Sequence, residues 1–447
     1  MEDLPRELIE MIVVLLDLPN ICSIRLVSRQ LSSKATQEHF RSFFGARRVY
    51  LEQQSLQEFA HATRRGGLGC LLTRLEVIGI AAETSCLEDG MSYGDLDESG
   101  RVASPGTAKG TRDRHRDRSA LRNAKNDARL LGEAFNNIGT ASAVGGLESL
   151  SLKVHVLHHA SDRLDLPVLH VYDPGVNEEA ECGADRDAIS RTAAETFAAA
   201  AESLVASRLR VWELIIFNGT DMQRCSLAAA ALKNINSLYP RLRYSLTSLR
   251  KLSLSLSRHR DEISSDLVGL TRLLQIAPGL RELEVHVFIA DRALDWRRED
   301  HMRLLPAQNH LPQLTSCRLR GLYVSVTDLC TFVQKTRPRS LHLKHITARS
   351  GTWKTFFDFL ATAETNVEDL YMEDLFERQH LIFDEPGTLK YGPKSERGTH
   401  TLARHGEEVA RPIAYHFSQS RMLGIPGLRL WREQATLEYG LTHMHAW

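Results

Sequence analysis

The chain has 447 residues, with 56 basic and 56 acidic side chains and a formal net charge of zero. That balance argues against a general binder of nucleic acid or of a membrane surface. A hydrophobic content of 43% is ordinary for a folded protein, and the length suits two or three domains or one elongated array.

No apolar run approaches the ~20 residues that a bilayer span needs. The acidic start, Glu2-Asp3, lacks the basic opening of a secretory signal. Seven cysteines (Cys22, Cys70, Cys86, Cys182, Cys225, Cys317 and Cys330) are scattered, odd in number and without CxxC spacing. They are read as reduced thiols of a cytoplasmic or nuclear protein.

Leu4, Leu8, Ile12 and Leu15/Leu16, with Met11, make a helical stripe. Asp3 is placed to cap this first helix, and Pro5 suits its first turn. Asp17-Leu18-Pro19-Asn20 breaks it, with Asn20 as the cap of a second helix carrying Ile21, Ile24, Leu26, Val27 and Leu31. A third helix runs toward His39 and ends in Phe40, Phe43 and Phe44. Three such helices bury little core alone, yet six apolar residues stand in a row from Met11 to Leu16. Two explanations stay open at this point: a surface that meets a partner, or packing onto the rest of the chain.

These residues resemble an F-box. The likeness rests on Leu4-Pro5, Glu7, Ile12 and Leu15, then Asp17-Leu18-Pro19, then Ile24-Arg25-Leu26-Val27-Ser28-Arg29. The resemblance, to the fungal type of the family, implies docking to the Skp-type adaptor of a cullin–RING ubiquitin ligase. The implied adaptor contacts are Leu4, Pro5, Leu8, Ile12, Leu15 and Leu18, with Cys22 in the core of the fold. Many F-boxes carry a Trp late in the third helix; here Leu31 and the later Phe residues have to fill that space.

After a short strand at Val49-Tyr50-Leu51 and a helix over residues 55–65, one apolar phrase recurs. Its copies are Leu72/Leu75/Val77, Leu147/Leu150/Leu152, Leu209/Trp212/Leu214, Leu249/Leu252/Leu254, Leu280/Leu283/Val285, Leu314/Cys317/Leu319, Pro338/Leu341/Leu343 and Val367/Leu370/Met372. Helical stretches lie between them at 122–138, 187–207, 227–239, 264–277, 326–335 and 352–363. One strand with one helix cannot bury its apolar face alone, so such units stack into a parallel sheet. The phrase resembles a leucine-rich repeat, with later copies spaced near or beyond the ~29 residues at the top of that family's range. The place where the regular repeat has Asn or Cys holds Ile80, His155, Phe217, Ser257, Phe288, Leu322, Ile346 and Leu375 instead, so the turns have to be satisfied in another way.

The expected fold class is therefore α/β: a three-helix F-box at 1–45, an irregular leucine-rich-repeat-like solenoid at 46–382, and an extension at 383–447. Residues 83–119 are polar and read as a disordered inserted loop. Residues 154–187 read as a second insertion with a local hairpin. Ile413, Tyr415, Phe417, Leu428, Leu430 and Trp431 are apolar groups with which the extension can cap the last rung.

Catalytic signatures such as GxSxG, HExxH and GxxxxGK[ST] are absent from the sequence. His155, His158 and His159, and His443 with His445, lack Cys or acidic partners at ligand spacing, so no metal and no cofactor is expected. The basic run from Arg112 to Arg118 is interleaved with Asp113 and Asp117 and reads as a solvated segment, with no nucleic-acid partner.

Side chains alternate along a strand, so residues between the apolar positions face the other side of the sheet. Those pairs are Glu76/Ile78, Ser151/Lys153, Glu213/Ile215, Ser253/Ser255, Glu284/His286, Arg318/Arg320, His342/Lys344 and Tyr371/Glu373. Arg318, Arg320, His342 and Lys344, with Tyr371 beside them, are the expected target-binding patch, suited to an acidic or phosphorylated segment of an unidentified target protein. The expected function is the substrate-recognition subunit of a Skp–cullin–F-box ligase, itself non-catalytic. The rivals are a non-degradative interaction scaffold and an α/β enzyme with an unrecognised site.

Overall fold

The computed structural model describes residues 3–64, 67–82, 126–141, 145–157, 178–218, 226–258, 267–289, 301–305, 307–308, 310–362, 365–377, 379–387 and 397–418. The expectations for 83–119, for the hairpin within 154–187, for Arg112 to Arg118, and for His158, His159, Leu428, Leu430, Trp431, His443 and His445 lie outside those residues.

The N-terminal segment folds as four short helices, not three: α1 (Arg6–Val13), α2 (Leu18–Val27), α3 (Arg29–Lys34) and α4 (Glu38–Ser42). The extra break at 35–37 separates α3 from α4. The caps also differ from expectation. Pro5 is the N-cap of α1 and makes no side-chain bond there. Asp17, not Asn20, caps α2, its carboxylate accepting the Asn20 N–H at 3.0 Å. The Ser28 hydroxyl accepts the Leu31 N–H at 3.2 Å and so starts α3. Ile9, Val13, Ile21, Leu31, Ala35 and Phe40 form the small core, with Cys22 and Phe44 partly buried against it.

The junction to the rest of the chain is made by Leu68, which packs on this small core, whereas Leu72, Leu75 and Val77 belong to the main one. The Gly45 carbonyl also accepts the N–H groups of Thr73 (2.9 Å) and Arg74 (2.8 Å).

Ten strands form one hydrogen-bonded path. In order they are β1 (Ala46–Tyr50), β2 (Arg74–Ala82), β3 (Gly146–Leu157), β4 (Arg210–Ile216), β6 (Lys251–Arg258), β7 (Glu282–Ile289), β8 (Ser316–Arg320), β10 (Ser340–Lys344), β12 (Asp369–Glu373) and β14 (Thr401–His405). The two-residue β5 (Leu227–Ala228) pairs with β6 off this path. Every pairing along the path is parallel except the last, where β14 runs antiparallel to β12.

The register aligns the recurring phrase across the sheet. Leu75, Leu150, Leu214, Leu252, Leu283, Cys317, Leu341 and Leu370 stand side by side, and all are buried. Seven copies fall where the sequence puts them. The third is displaced by two residues: Leu214, not Trp212, lies between Leu150 and Leu252, so the true phrase is Val211/Leu214/Ile216. Glu213 consequently pairs with Ser149, and Ile215 with Ser151.

The helices Gln53–Ala62 (α5), Asn126–Ala141, Glu178–Ser207, Val268–Ile276, Val326–Thr336 and Trp353–Leu360 bury their apolar sides in the same core as the strands. The helix expected over 227–239 is instead split into β5, Ala229–Asn234 and Tyr239–Leu246. Among the described residues, no helix is long and apolar enough to cross a membrane.

Turns that lack Asn follow β8, β10 and β12 and are satisfied by the neighbouring strand connection, whereas Ile80, His155, Ser257 and Phe288 lie within β2, β3, β6 and β7, where the expected turn does not form. Leu322, Ile346 and Leu375 are buried. The N–H groups of Gly321, His345 and Asp374 bond to the carbonyls of Lys344, Glu373 and His400, at 3.1, 2.9 and 3.1 Å. These three donors share a left-handed φ of +68°, +55° and +52°. Beyond them, β9 (Tyr323–Ser325) pairs with β11 (Thr347–Ser350), and β13 (Leu381–Phe383) pairs with β15 (Tyr415–Phe417).

Candidate interaction surfaces

α1 has two apolar sides. Ile9 and Val13 point into the small core, while Leu8 and Met11, and Leu15 in the turn just past the helix, stand at 44%, 67% and 84% exposure. Positions 8 and 11 share one helix face opposite the buried residues. Val14 and, on α2, Leu26 and Val27 are also exposed. The scaffold beneath is tied down: Lys34 Nζ donates to the Leu4 carbonyl at 2.8 Å, and the His39 N–H to Glu10 Oε1 at 3.1 Å. The Arg25 guanidinium lies 3.9 Å over the Phe40 ring.

The six residues expected at the adaptor surface divide. Pro5, Leu8 and Leu15 are exposed and Ile12 is half-buried, whereas Leu4 and Leu18 pack against the small core. Val14, Leu26 and Val27 were not singled out for this surface from sequence. Their signal is an apolar residue on the side of a helix opposite its buried stripe.

The second surface is the polar face of the sheet. One row of adjacent positions reads Arg48, Glu76, Ser151, Ile215, Ser253, Glu284, Arg318, His342 and Tyr371. At its start, Glu76 bonds Arg48 at 2.8 Å and Lys153 at 2.9 Å. Burial works against the Glu76 carboxylate, but the hydrogen bond and charge of Lys153, joined by Arg48, outweigh it and hold the pKa below its ordinary value. In the middle, Asn218 donates to Ser253 Oγ at 2.7 Å, and Ser253 donates to Glu284 Oε2 at 3.1 Å.

The sheet brings Arg318, Arg320, His342, Lys344 and Tyr371 together on three adjacent strands. They are not equally available. Lys344 Nζ pairs with the buried Glu373 at 3.1 Å, and the Tyr371 hydroxyl donates to the same carboxylate at 2.6 Å. His342 packs its ring 5.4 Å from Tyr371. Burial, then the Arg318 guanidinium, lowers the His342 pKa, so at neutral pH this imidazole adds no charge. The exposed cation of the patch is Arg318, with Arg320 half-buried on the same strand.

Burial raises the pKa of Cys70, pushes Cys330 up to about 11 and pushes Cys317 up to about 12.

The family model of the F-box domain matches residues 1–43, so this segment is an F-box domain. A search of curated proteins finds none that matches the chain.

Proposed function

We propose that this chain is the substrate-recognition subunit of a Skp–cullin–F-box ubiquitin ligase. The observation that carries the proposal is the exposed group Leu8, Met11 and Leu15, with Leu26 and Val27 also exposed, on a segment that matches the F-box domain. Water-exposed apolar side chains grouped on one small domain are best explained by a partner that covers them. That partner is a Skp-family adaptor, and through it a cullin–RING ligase. The chain acts by placement, raising the local concentration of a target and orienting its lysine, without a covalent step of its own.

The region 46–382 is proposed as a divergent leucine-rich-repeat-like solenoid, a reading supported by the in-register phrase and the one-next-to-one strand order. Residues 1–45 form the adaptor module, and 383–447 partly cap the array. The target surface is the polar row at its later rungs, where Arg318 and Arg320, with His342 and Tyr371, suit a carboxylate or phosphate. The complex works in the cytoplasm, the nucleus or both.

Co-expression with a Skp-type adaptor, followed by pull-down, tests the proposal. Wild-type chain should bind. Leu15→Asp should lose that binding by at least tenfold, since a buried Leu contributes about 1.5–3 kcal/mol. A wild-type chain that fails to capture the adaptor sinks the proposal. A stable adaptor complex that never recruits cullin points to the non-degradative scaffold instead.

A further inference from the structure

Where the last two parallel strands meet the C-terminal cover, four ionisable side chains converge in the interior. Asp374 follows β12, His345 follows β10, His380 precedes β13 and His400 precedes β14. All four are buried, and the Asp374 side chain has no exposure at all. His380 Nε2 lies 3.1 Å and His400 Nδ1 lies 3.7 Å from Asp374 Oδ1, and the two nitrogens are 3.0 Å apart. His345 Nε2 stands 3.3 Å from the other carboxylate oxygen. Neither Asp374 oxygen has a hydrogen-bond partner in acceptable geometry among the described residues.

Such an arrangement is costly without a cation. A carboxylate removed from water needs donors or a positive charge, and here the donors aim poorly. We propose that Asp374 Oδ1, His380 Nε2 and His400 Nδ1 bind one zinc ion. Zinc takes histidine nitrogen and carboxylate oxygen at 2.0–2.2 Å in a tetrahedron, whose ligand atoms then lie about 3.4 Å apart. The three separations here, 3.0, 3.1 and 3.7 Å, bracket that edge. His345 on the second oxygen has the place of an outer partner that orients a ligating carboxylate. The His380 ring stacks on Phe376 at 4.5 Å, which fixes its direction. The His380 and His400 rings are 4.0 Å apart, so loading the ion parts them slightly.

The role follows from chain position. Asp374 belongs to the last parallel strand's turn, while His380 and His400 flank the segment that lays β14 along the open edge of β12. An ion here staples the cover to the array. The ligands come from separate stretches, so the site forms as this end folds, and binding free energy becomes folding free energy.

The test uses the untagged full chain expressed with zinc in the medium. Elemental analysis after desalting should find one zinc per chain in the wild type and none in His380→Ala, His400→Ala or Asp374→Asn. His155→Ala, on a distant strand, should retain it. Chelation should lower the wild-type melting temperature and added Zn2+ should restore it. Cobalt(II) soaked into the chelated wild type should give the visible absorption of a tetrahedral ion, a readout that needs no variant to fold. A wild-type chain with no zinc, no cobalt spectrum and the same melting curve with Zn2+ or chelator overturns the proposal and leaves a buried imidazole–carboxylate network only. Zinc retained in all three ligand variants overturns it as well. None of these readouts involves the adaptor, so this inference and the ligase proposal fail separately.

Discussion

Single residues on the polar face carry charge in two ways. Arg318 meets solvent, whereas Glu76 is tied into the sheet by Lys153, whose side chain is only 13% exposed. The lowered pKa of Glu76 has a definite sign in stability. In the window between its folded pKa and its ordinary value of 4.5, the unfolded chain holds a proton that the folded one does not. The stabilisation is therefore complete above the ordinary value and is lost as pH falls through the folded one. Denaturant melts of wild type and Glu76→Gln between about pH 6 and pH 2 should converge in acid. A stability difference that stays constant with pH would show that the Lys153 pairing adds nothing. The sequence placed Glu76 and Lys153 on one face by alternation alone, but alternation does not show that they touch. Likewise it put four cations at the later rungs and did not show that Glu373 occupies Lys344 or that burial discharges His342.

At the level of the element, much was legible because the phrase repeats. Leu75, Leu150, Leu252, Leu283, Leu341 and Leu370 were each placed by two neighbouring apolar residues at fixed offsets, and the strands formed there. The third copy slipped because Leu209, Val211, Trp212, Leu214, Ile215 and Ile216 satisfy the phrase in two frames. Packing chose the frame that puts Leu214 in the core row and leaves the half-buried indole beside Gly146 of β3. The helix boundary at 35–37 was missed for another reason: no Gly or Pro marks it. The turns after β8, β10 and β12 carry no Asn, and nothing in the sequence marks the left-handed φ at His345 and Asp374. Gly321 is the one glycine of that set, and a Cβ there would run into the Val287 carbonyl. Gly321→Ala combines that clash with a left-handed backbone, which alone costs about 1–2 kcal/mol for an L-residue. The variant should unfold at visibly lower denaturant with an unchanged m-value. Equal stability would mean that the turn relaxes freely and does not fix the strand exits.

For the whole molecule, the question is how a sheet built by adding one strand after another comes to an end. An open edge of unpaired N–H and C=O groups invites further strands from other chains. Here the chain reverses and lays β14 antiparallel on β12, pairing Asp369 to Glu373 with His405 to Thr401. The sequence suggests a cap from scattered apolar groups; of these, Ile413 and Tyr415 are partly buried against the main core. It did not foresee the polar lock. Arg404, only 8% exposed, donates to Glu385 Oε1 at 3.0 Å and to the carbonyls of Glu408, Arg411 and Pro412 at 3.3, 2.5 and 3.2 Å. These partners span both sides of β14, so one guanidinium gathers the segment that covers the edge. Hydrogen bonds to a charged group contribute about 1.5–3 kcal/mol each, and the orphaned carbonyls add a desolvation cost. Arg404→Ala should therefore loosen the cover before the array itself. Limited proteolysis should cut first beyond residue 384, and self-association should rise as the β12 edge is uncovered. The F-box directly precedes β1, at the opposite end of the strand order, so the proposed adaptor capture should be unchanged. If Arg404→Ala instead abolishes adaptor binding along with the cover, the array unfolds as one cooperative unit and the edge is not an independent layer of stability.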